Sequence, residues 1–361
     1  MKTRYLILFC LLVSLNSLSF VAEDGNNPSA DPGQKIYSRN PEANALYIQG
    51  LEYLGKGNPQ HGGSVLNGRK ALKVFSQAVQ KDPRFALAYL GQADALALTA
   101  SFTSSGTVPV VKIYRQQEAA ALKAIELDDS LSKAHASLAD LYYEEEFDWP
   151  KAEKEYKRVI ELTPDFPPAY TSYATFLASM GRFEEAEAQV KLAQAIDPKS
   201  FSANWALMRI YYWQRKDDAA LAQAMEALQK RNLIGTHYFI GSIYIHQGQF
   251  EKGIEELKLA RFGDAESIAM LAYAYARAGK KAEFESTLEQ LKHHPAYDLV
   301  AYRLGAAYGA LGDKDRALSL VEKSYRLRSD FLSWLKVDPT MDPLRQEPRF
   351  KKLMRKLNFE Q

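Results

Sequence analysis

The side chains with the most chemical promise in this chain are Trp205, Arg209 and Trp213, spaced by four and four. On a helix that spacing stacks them along one stripe. An arginine between two indoles could hold a partner carboxylate while the rings cover apolar side chains. Other candidates are weaker. The six histidines are scattered: His61, His135, His237, His246 and the adjacent pair His293–His294. Neighbouring histidines cannot both face one metal from a helix, and no ligand-spaced partner is read beside that pair, so all six read as structural or exposed. The acidic run Glu144–Glu146 and the pairs Glu184–Glu185 and Glu255–Glu256 fall on helix ends or turns. There they face water, and nothing would shift their proton affinity. No nucleophile elbow, phosphate loop or metal motif is present, and Gly55-Lys56-Gly57 lacks the spacing of one. The expectation is therefore no catalytic residue, no cofactor and no metal.

The elements that must position the stripe follow a period. Between Pro164 and Pro198 lies one 34-residue unit. Ala169, Tyr170, Tyr173, Ala174 and Leu177 form one apolar helical face, Gly181 and Phe183 mark a turn, and Ala186, Val190 and Ala193 form a second face. Eight such units run along the chain. Gly181, Gly248, Gly279 and Gly312 sit where first helices end, a position at which a left-handed backbone costs glycine nothing. Pro83, Pro164 and Pro198 cannot continue the second helices. Small residues such as Ala174 and Ala186 let Tyr173 and Phe183 nest beside them. No single unit buries enough apolar surface to stand alone, so neighbours must stack. The expected fold is all-α, a right-handed α-solenoid of about eight helix–turn–helix units with a C-terminal helical cap. Residues 44–328 form the array and residues 329–361 the capping segment. Long insertions, Lys56–Asn67 and Thr99–Val111, separate the helices of the first two units.

Spacing, residue size and turn glycines together resemble the tetratricopeptide repeat family. The phrases NPEANALYIQGLEYLGKG, FALAYLGQADALAL and DPTMDPLRQEPRFKKLMRKL are similar to the arrays attached to bacterial winged-helix regulators, adenylate cyclases and Ser/Thr kinases. In those proteins an effector domain precedes the array. Here an export-type segment stands in that place, so no effector activity is implied. The resemblance places the first helices on an inner, concave wall and makes the chain a binding scaffold. On that wall it implies Tyr143, Trp205, Arg209, Tyr212, Trp213, Tyr238, Tyr273, Arg277, Tyr302 and Arg303 as the partner-binding set, aromatic and Arg residues being typical of interface hot spots. Packing between units is the competing reading for several of them. Thr171, Thr175, Trp205 and Arg209 occupy the positions where chaperone-clamping arrays carry Lys and Asn, so a clamp is not implied.

Residues 1–22 read as an export signal: Lys2 and Arg4, then the apolar run Tyr5–Val13. An uncleaved membrane anchor over residues 5–22 is the alternative. The polar stretch 23–43 has linker composition. The net charge of +2 comes from Lys2 and Arg4, and the chain beyond residue 22 holds 44 basic and 44 acidic residues. That balance argues against nucleic acid, which needs a clustered positive field. The only cysteine, Cys10, lies in the apolar run, leaving the mature chain without a thiol. The expected function is an exported, periplasmic or secreted, non-enzymatic scaffold that binds a protein or peptide. The alternative is an envelope sensor of a small ligand or glycan that uses the same aromatics as stacking platforms.

Overall fold

The computed structural model describes residues 37–57, 65–101, 110–230, 234–260 and 265–359. The export segment, most of the linker, His61 and the centres of both long insertions lie outside them. Two compact units are present, one up to Pro164 and one from Asp165. The described residues form α-helices joined by turns, with 3-10 and π turns and no strand.

The first unit holds α1 (Pro41–Gly57), α2 (Val65–Lys81), α3 (Ala86–Ser101), α4 (Val110–Leu127), α5 (Ser132–Leu141) and α6 (Trp149–Leu162). Successive helices pack as hairpins. α1 starts at Pro41, ahead of the expected Asn44, because Asn40 caps it. The Asn40 side-chain oxygen accepts from the backbone N–H groups of Glu42 and Ala43, and proline suits the first helical position. Phe75 of α2 fills a slot open only because α1 and α3 present glycine. A Cβ on Gly50 or Gly91 would come within 2.3 and 2.6 Å of its ring. A π turn, Tyr142–Glu146, closes α5 and ends at Phe147 with positive φ.

The second unit holds α7 (Pro167–Ser179), α8 (Phe183–Ile196), α9 (Phe201–Trp213), α10 (Asp217–Lys230), α11 (Ile234–His246), α12 (Phe250–Leu259), α13 (Ala265–Arg277), α14 (Lys281–Lys292), α15 (Ala301–Ala310), α16 (Lys314–Arg326) and α17 (Pro348–Lys356). Each odd-numbered helix from α7 to α15 packs on its successor, and first helices also meet across units, α7 on α9 and α13 on α15. Gly181, Gly248, Gly279 and Gly312 all have φ between 68° and 81°, and each is followed by an N–H that closes back five residues onto the helix, such as Arg182 N–H to the Leu177 carbonyl. The fifth repeat has no glycine there. Arg215 adopts φ 62° in its place, with Lys216 N–H on the Tyr211 carbonyl.

Second helices behave as their amphipathic pattern requires. In α8 only Ala186, Val190 and Ala193 are buried. First helices do not. α7 is buried at every position from Pro168 to Ser179, and α15 from Ala301 to Gly309. A repeat unit alone leaves the inner face of its first helix open to solvent, so something else covers these helices in the second unit.

Candidate functional site

Over α15, and over α9 as well, the cover is the chain's own C-terminal segment. Residues 330–344, a strap of two 3-10 turns (Asp330–Trp334 and Pro339–Leu344), lie against side chains of the first helices α9 and α15. The segment therefore reaches well beyond the eighth repeat that it was expected to cap. Leu332, Leu335, Met341 and Leu344 are fully buried, and Trp334 and Val337 nearly so. Burying that many apolar side chains is worth roughly 1.5–3 kcal/mol each before the entropy of ordering is subtracted.

Side chains of the wall meet the strap one by one. Phe331 stacks on Tyr302 with ring centroids 5.6 Å apart, and the Arg303 guanidinium lies 4.5 Å from the Phe331 ring centre. Trp334 packs on Trp213 at 5.4 Å, and Arg209 sits 5.1 Å from both indoles. Asp338 accepts hydrogen bonds from Tyr302 Oη and Arg303 Nη1, both at 3.0 Å. Arg303 also donates Nε–H to Glu266 at 2.6 Å, and Tyr238 Oη donates to the same carboxylate at 3.2 Å. Arg215 donates to the Val337 carbonyl and to Asp342, both at 2.6 Å. Arg345 folds back on the carbonyls of Leu335, Lys336 and Asp338, holding the strap's own bend.

The electrostatics follow from this burial. Burial alone would pull the Arg303 pKa down, but Tyr238, Glu266, Asp338 and Tyr302 around it outweigh that and raise it, so the guanidinium stays charged. Burial, reinforced by Asp338, drives the Tyr302 and Tyr212 hydroxyls far above the ordinary phenol range. Tyr302 acts there as a hydrogen-bond donor and Tyr212 as a packing group.

The ten expected binding residues do not share one environment. Arg209, Trp213, Tyr302 and Arg303 touch the strap directly. Tyr238 stands one hydrogen bond behind it, through Glu266. Tyr212 is buried with its ring 6.1 Å from the His246 imidazole. Trp205 is buried against Phe201 and, edge-on at 5.1 Å, Phe239 of α11. The indole thus packs towards the sixth repeat. Tyr273 is buried and receives a hydrogen bond from Arg277, which is itself partly exposed. Tyr143 belongs to the first unit and packs inside its own hairpin against Trp149 and Tyr156. Meanwhile Leu207 and Tyr211, expected as packing residues of α9, are only half-buried. Burial on α9 is thus highest on the stripe side, because the strap adds a layer there.

Five contributors escaped the sequence reading: Arg215, Glu266, Phe331, Trp334 and Asp338. Arg215 had a legible signal, since it stands where four other units carry glycine. The rest lie in or opposite a segment outside the period.

Three of the described histidines join helices, while His293 meets Glu289 four residues back and His294 accepts from the Ala296 N–H. His135 Nδ1 meets Glu155 of α6, His237 Nδ1 meets Glu256 of α12, and His246 Nδ1 meets Asp217 of α10, each at 2.6 Å. Among the described residues no group of three His, Asp or Glu side chains could hold a metal, and no helix is long and apolar enough to cross a membrane.

A wall of stacked first helices gripping an irregular segment through individual side chains defines a helical-repeat scaffold. Two family models agree: both describe a tetratricopeptide repeat, one matching residues 143–211 and the other residues 234–260 and 300–331. Those stretches of the chain are tetratricopeptide repeats, and such repeats generally mediate protein–protein interaction. A search of the curated proteins finds no match. Among solved structures, yeast Tom70 is 18% identical with a TM-score of 0.57, covering 90% of this chain and 70% of that one. A tetratricopeptide repeat protein from Parabacteroides merdae is 13% identical with a TM-score of 0.54, covering 79% and 99%. The human IFIT1 dimer with PPP-AAAA is 16% identical with a TM-score of 0.53, covering 96% and 86%. At these identities the likeness is one of fold alone.

Proposed function

We propose that the mature chain is an exported, non-enzymatic scaffold that holds a segment of a protein or peptide on the inner wall of its repeats. The observation that carries this reading is the strap: an irregular stretch of polypeptide held by ring stacking, a buried Arg–Asp pair and hydrogen bonds to its backbone. Those are the contacts by which a wall of this kind would grip a partner. The aromatics, being packed on one another and on the strap, offer no open stacking platform for a glycan, and the long insertions on which that alternative rests lie outside the described residues.

Export follows from Lys2, Arg4 and the apolar run to Val13. A full-length fusion to a reporter active only outside the cytoplasm should be active, and deletion of residues 1–22 should silence it. An intact fusion retained in the cytoplasm would overturn export. A full-length product in the membrane fraction would select the uncleaved anchor over residues 5–22. For binding, a partner captured by residues 23–361 from an envelope extract should slow hydrogen exchange on α9, α11, α13 and α15. Slowing confined to the outer helices α8 to α16 would remove the inner wall from the function.

A further inference from the structure

Three observations on the second unit converge on what its wall is shaped to hold. Each recognition feature of the strap has a dedicated partner: Phe331 on Tyr302 and Arg303, Trp334 on Trp213 and Arg209, and Asp338 between Tyr302 and Arg303. Arg215 keeps a left-handed backbone, unfavourable for any residue with a Cβ, at a turn where four other units use glycine, and its guanidinium grips Val337 and Asp342. The strap is also anchored at both ends on the last hairpin. α16 precedes it, and α17 packs back on α16, with Arg349 on Glu322 at 2.9 Å, Lys314 on Glu347 at 2.6 Å, and Phe350 and Leu353 buried. Residues 330–344 can therefore leave the wall as a loop while both anchors stay in place.

We propose that the strap is a resident stand-in for the partner, and that the partner is a protein segment of the same chemistry: two aromatic side chains three residues apart, followed four residues later by an aspartate. This rests on the scaffold reading above. It names the chemistry from the wall itself: Arg303 gives its Nε–H to Glu266 but turns Nη1, together with the Tyr302 hydroxyl, onto a second carboxylate, and paired indole and guanidinium faces suit flat rings. The strap then acts as an intramolecular competitor. A short tether presents it at an effective concentration of about millimolar, so a partner binds the closed chain more weakly than the open wall, by the ratio of closed to open molecules.

The test uses residues 23–361 and a fluorescent synthetic peptide of residues 329–347 as the probe. In the variant Phe331→Ala with Trp334→Ala and Asp338→Asn, the wall is untouched and the competitor weakened. It should remain helical by circular dichroism and bind the peptide at least ~10-fold tighter than the unmodified chain does. A peptide carrying Trp334→Ala and Asp338→Asn should bind that variant at least ~10-fold more weakly than the parent peptide. Equal binding of the two peptides would overturn the assigned chemistry while leaving the scaffold reading standing. A folded variant that binds no peptide better than the unmodified chain would overturn the stand-in, and a variant that loses its helices would make the strap part of the core and overturn it too. Hydrogen exchange on the unmodified chain gives a second measurement. Amides of residues 330–344 should exchange at least ~10-fold faster than the slowest of α15, and exchange at the same rate would overturn a releasable strap. A concentration-dependent dimer that the peptide dissociates would assign the wall to a second copy of the chain and overturn a foreign partner.

Discussion

Two side chains show how a single position is held against its own preference. Arg215 occupies a left-handed turn that costs a non-glycine residue about 1–2 kcal/mol, and its hydrogen bonds to Val337 and Asp342 offset the strain. Arg215→Ala keeps the strain and loses the grip, whereas Arg215→Gly loses both. Chemical denaturation should therefore find the glycine variant more stable than the alanine variant by about 1 kcal/mol. If the two unfold alike, the backbone at 215 carries no strain. Asp140 is the second case. Burial pushes its carboxyl up to about 6, although the Tyr156 hydroxyl, donating at 2.8 Å, pulls the other way. A carboxyl raised above its unfolded value near 3.8 favours folding below that value, and the contribution is lost as pH rises through 6. Asp140→Asn keeps an acceptor for Tyr156 and removes the charge. It should stabilise the protein by about 1–2 kcal/mol at pH 8 and by next to nothing at pH 3, below the unfolded value. A gain of the same size at both pH values would exclude the titration of Asp140 as its cause.

At the scale of helices, close approach decides where small residues stand. Gly241 of α11 faces Gly253 of α12. A Cβ on Gly241 would come 2.7 Å from Leu257 and 2.9 Å from the Gly253 carbonyl, and the latter, as backbone, cannot swing away. Gly241→Ala should cost about 1–3 kcal/mol. Ala186→Leu should cost as much, since Ala186 is fully buried between helices, while Ala188→Leu on the exposed face of the same helix should cost little. Equal shifts in melting temperature for the two leucine variants would mean that α8 is turned the other way. Such features were legible in the sequence because they recur: the turn glycines, the small–large alternation and the stopping prolines repeat at a fixed period. The site was legible only in part. Arg209, Trp213, Tyr302 and Arg303 could be placed on one wall by register, but the same register put Tyr143 there, and it packs inside its hairpin. Trp205 also carries a wall position by register, yet its indole packs edge-on against Phe239 of the next repeat. Nothing in a 34-residue period announces a segment that lies outside it, so Phe331, Trp334 and Asp338 could be read only as a cap.

Over the whole of the second unit the strap changes how stability is distributed. In a solenoid each repeat touches only its neighbours, so stability adds pairwise and end repeats open first. Here Arg215, at the end of the fifth repeat's first helix, bonds directly to residues 122 and 127 positions further on, and the same segment is pinned to α15 through Tyr302 and Arg303. The fifth and eighth repeats are thereby tied by contacts that skip the two between them, and α15 cannot open without first losing the strap. Weakening the strap should therefore act unevenly. In Trp334→Ala with Asp338→Ala, the slowest amides of α15 should exchange at least ~10-fold faster than in the unmodified chain, a loss of about 1.4 kcal/mol or more. Those of α7 should change little, because α7 keeps its contacts with α8 and α9. Hydrogen exchange followed by mass spectrometry separates the two helices. Equal acceleration in α7 and α15 would mean that the unit opens only as a whole, with no cross-tie to remove. Acceleration confined to residues 330–344 would mean that the last repeats are held by their neighbours alone.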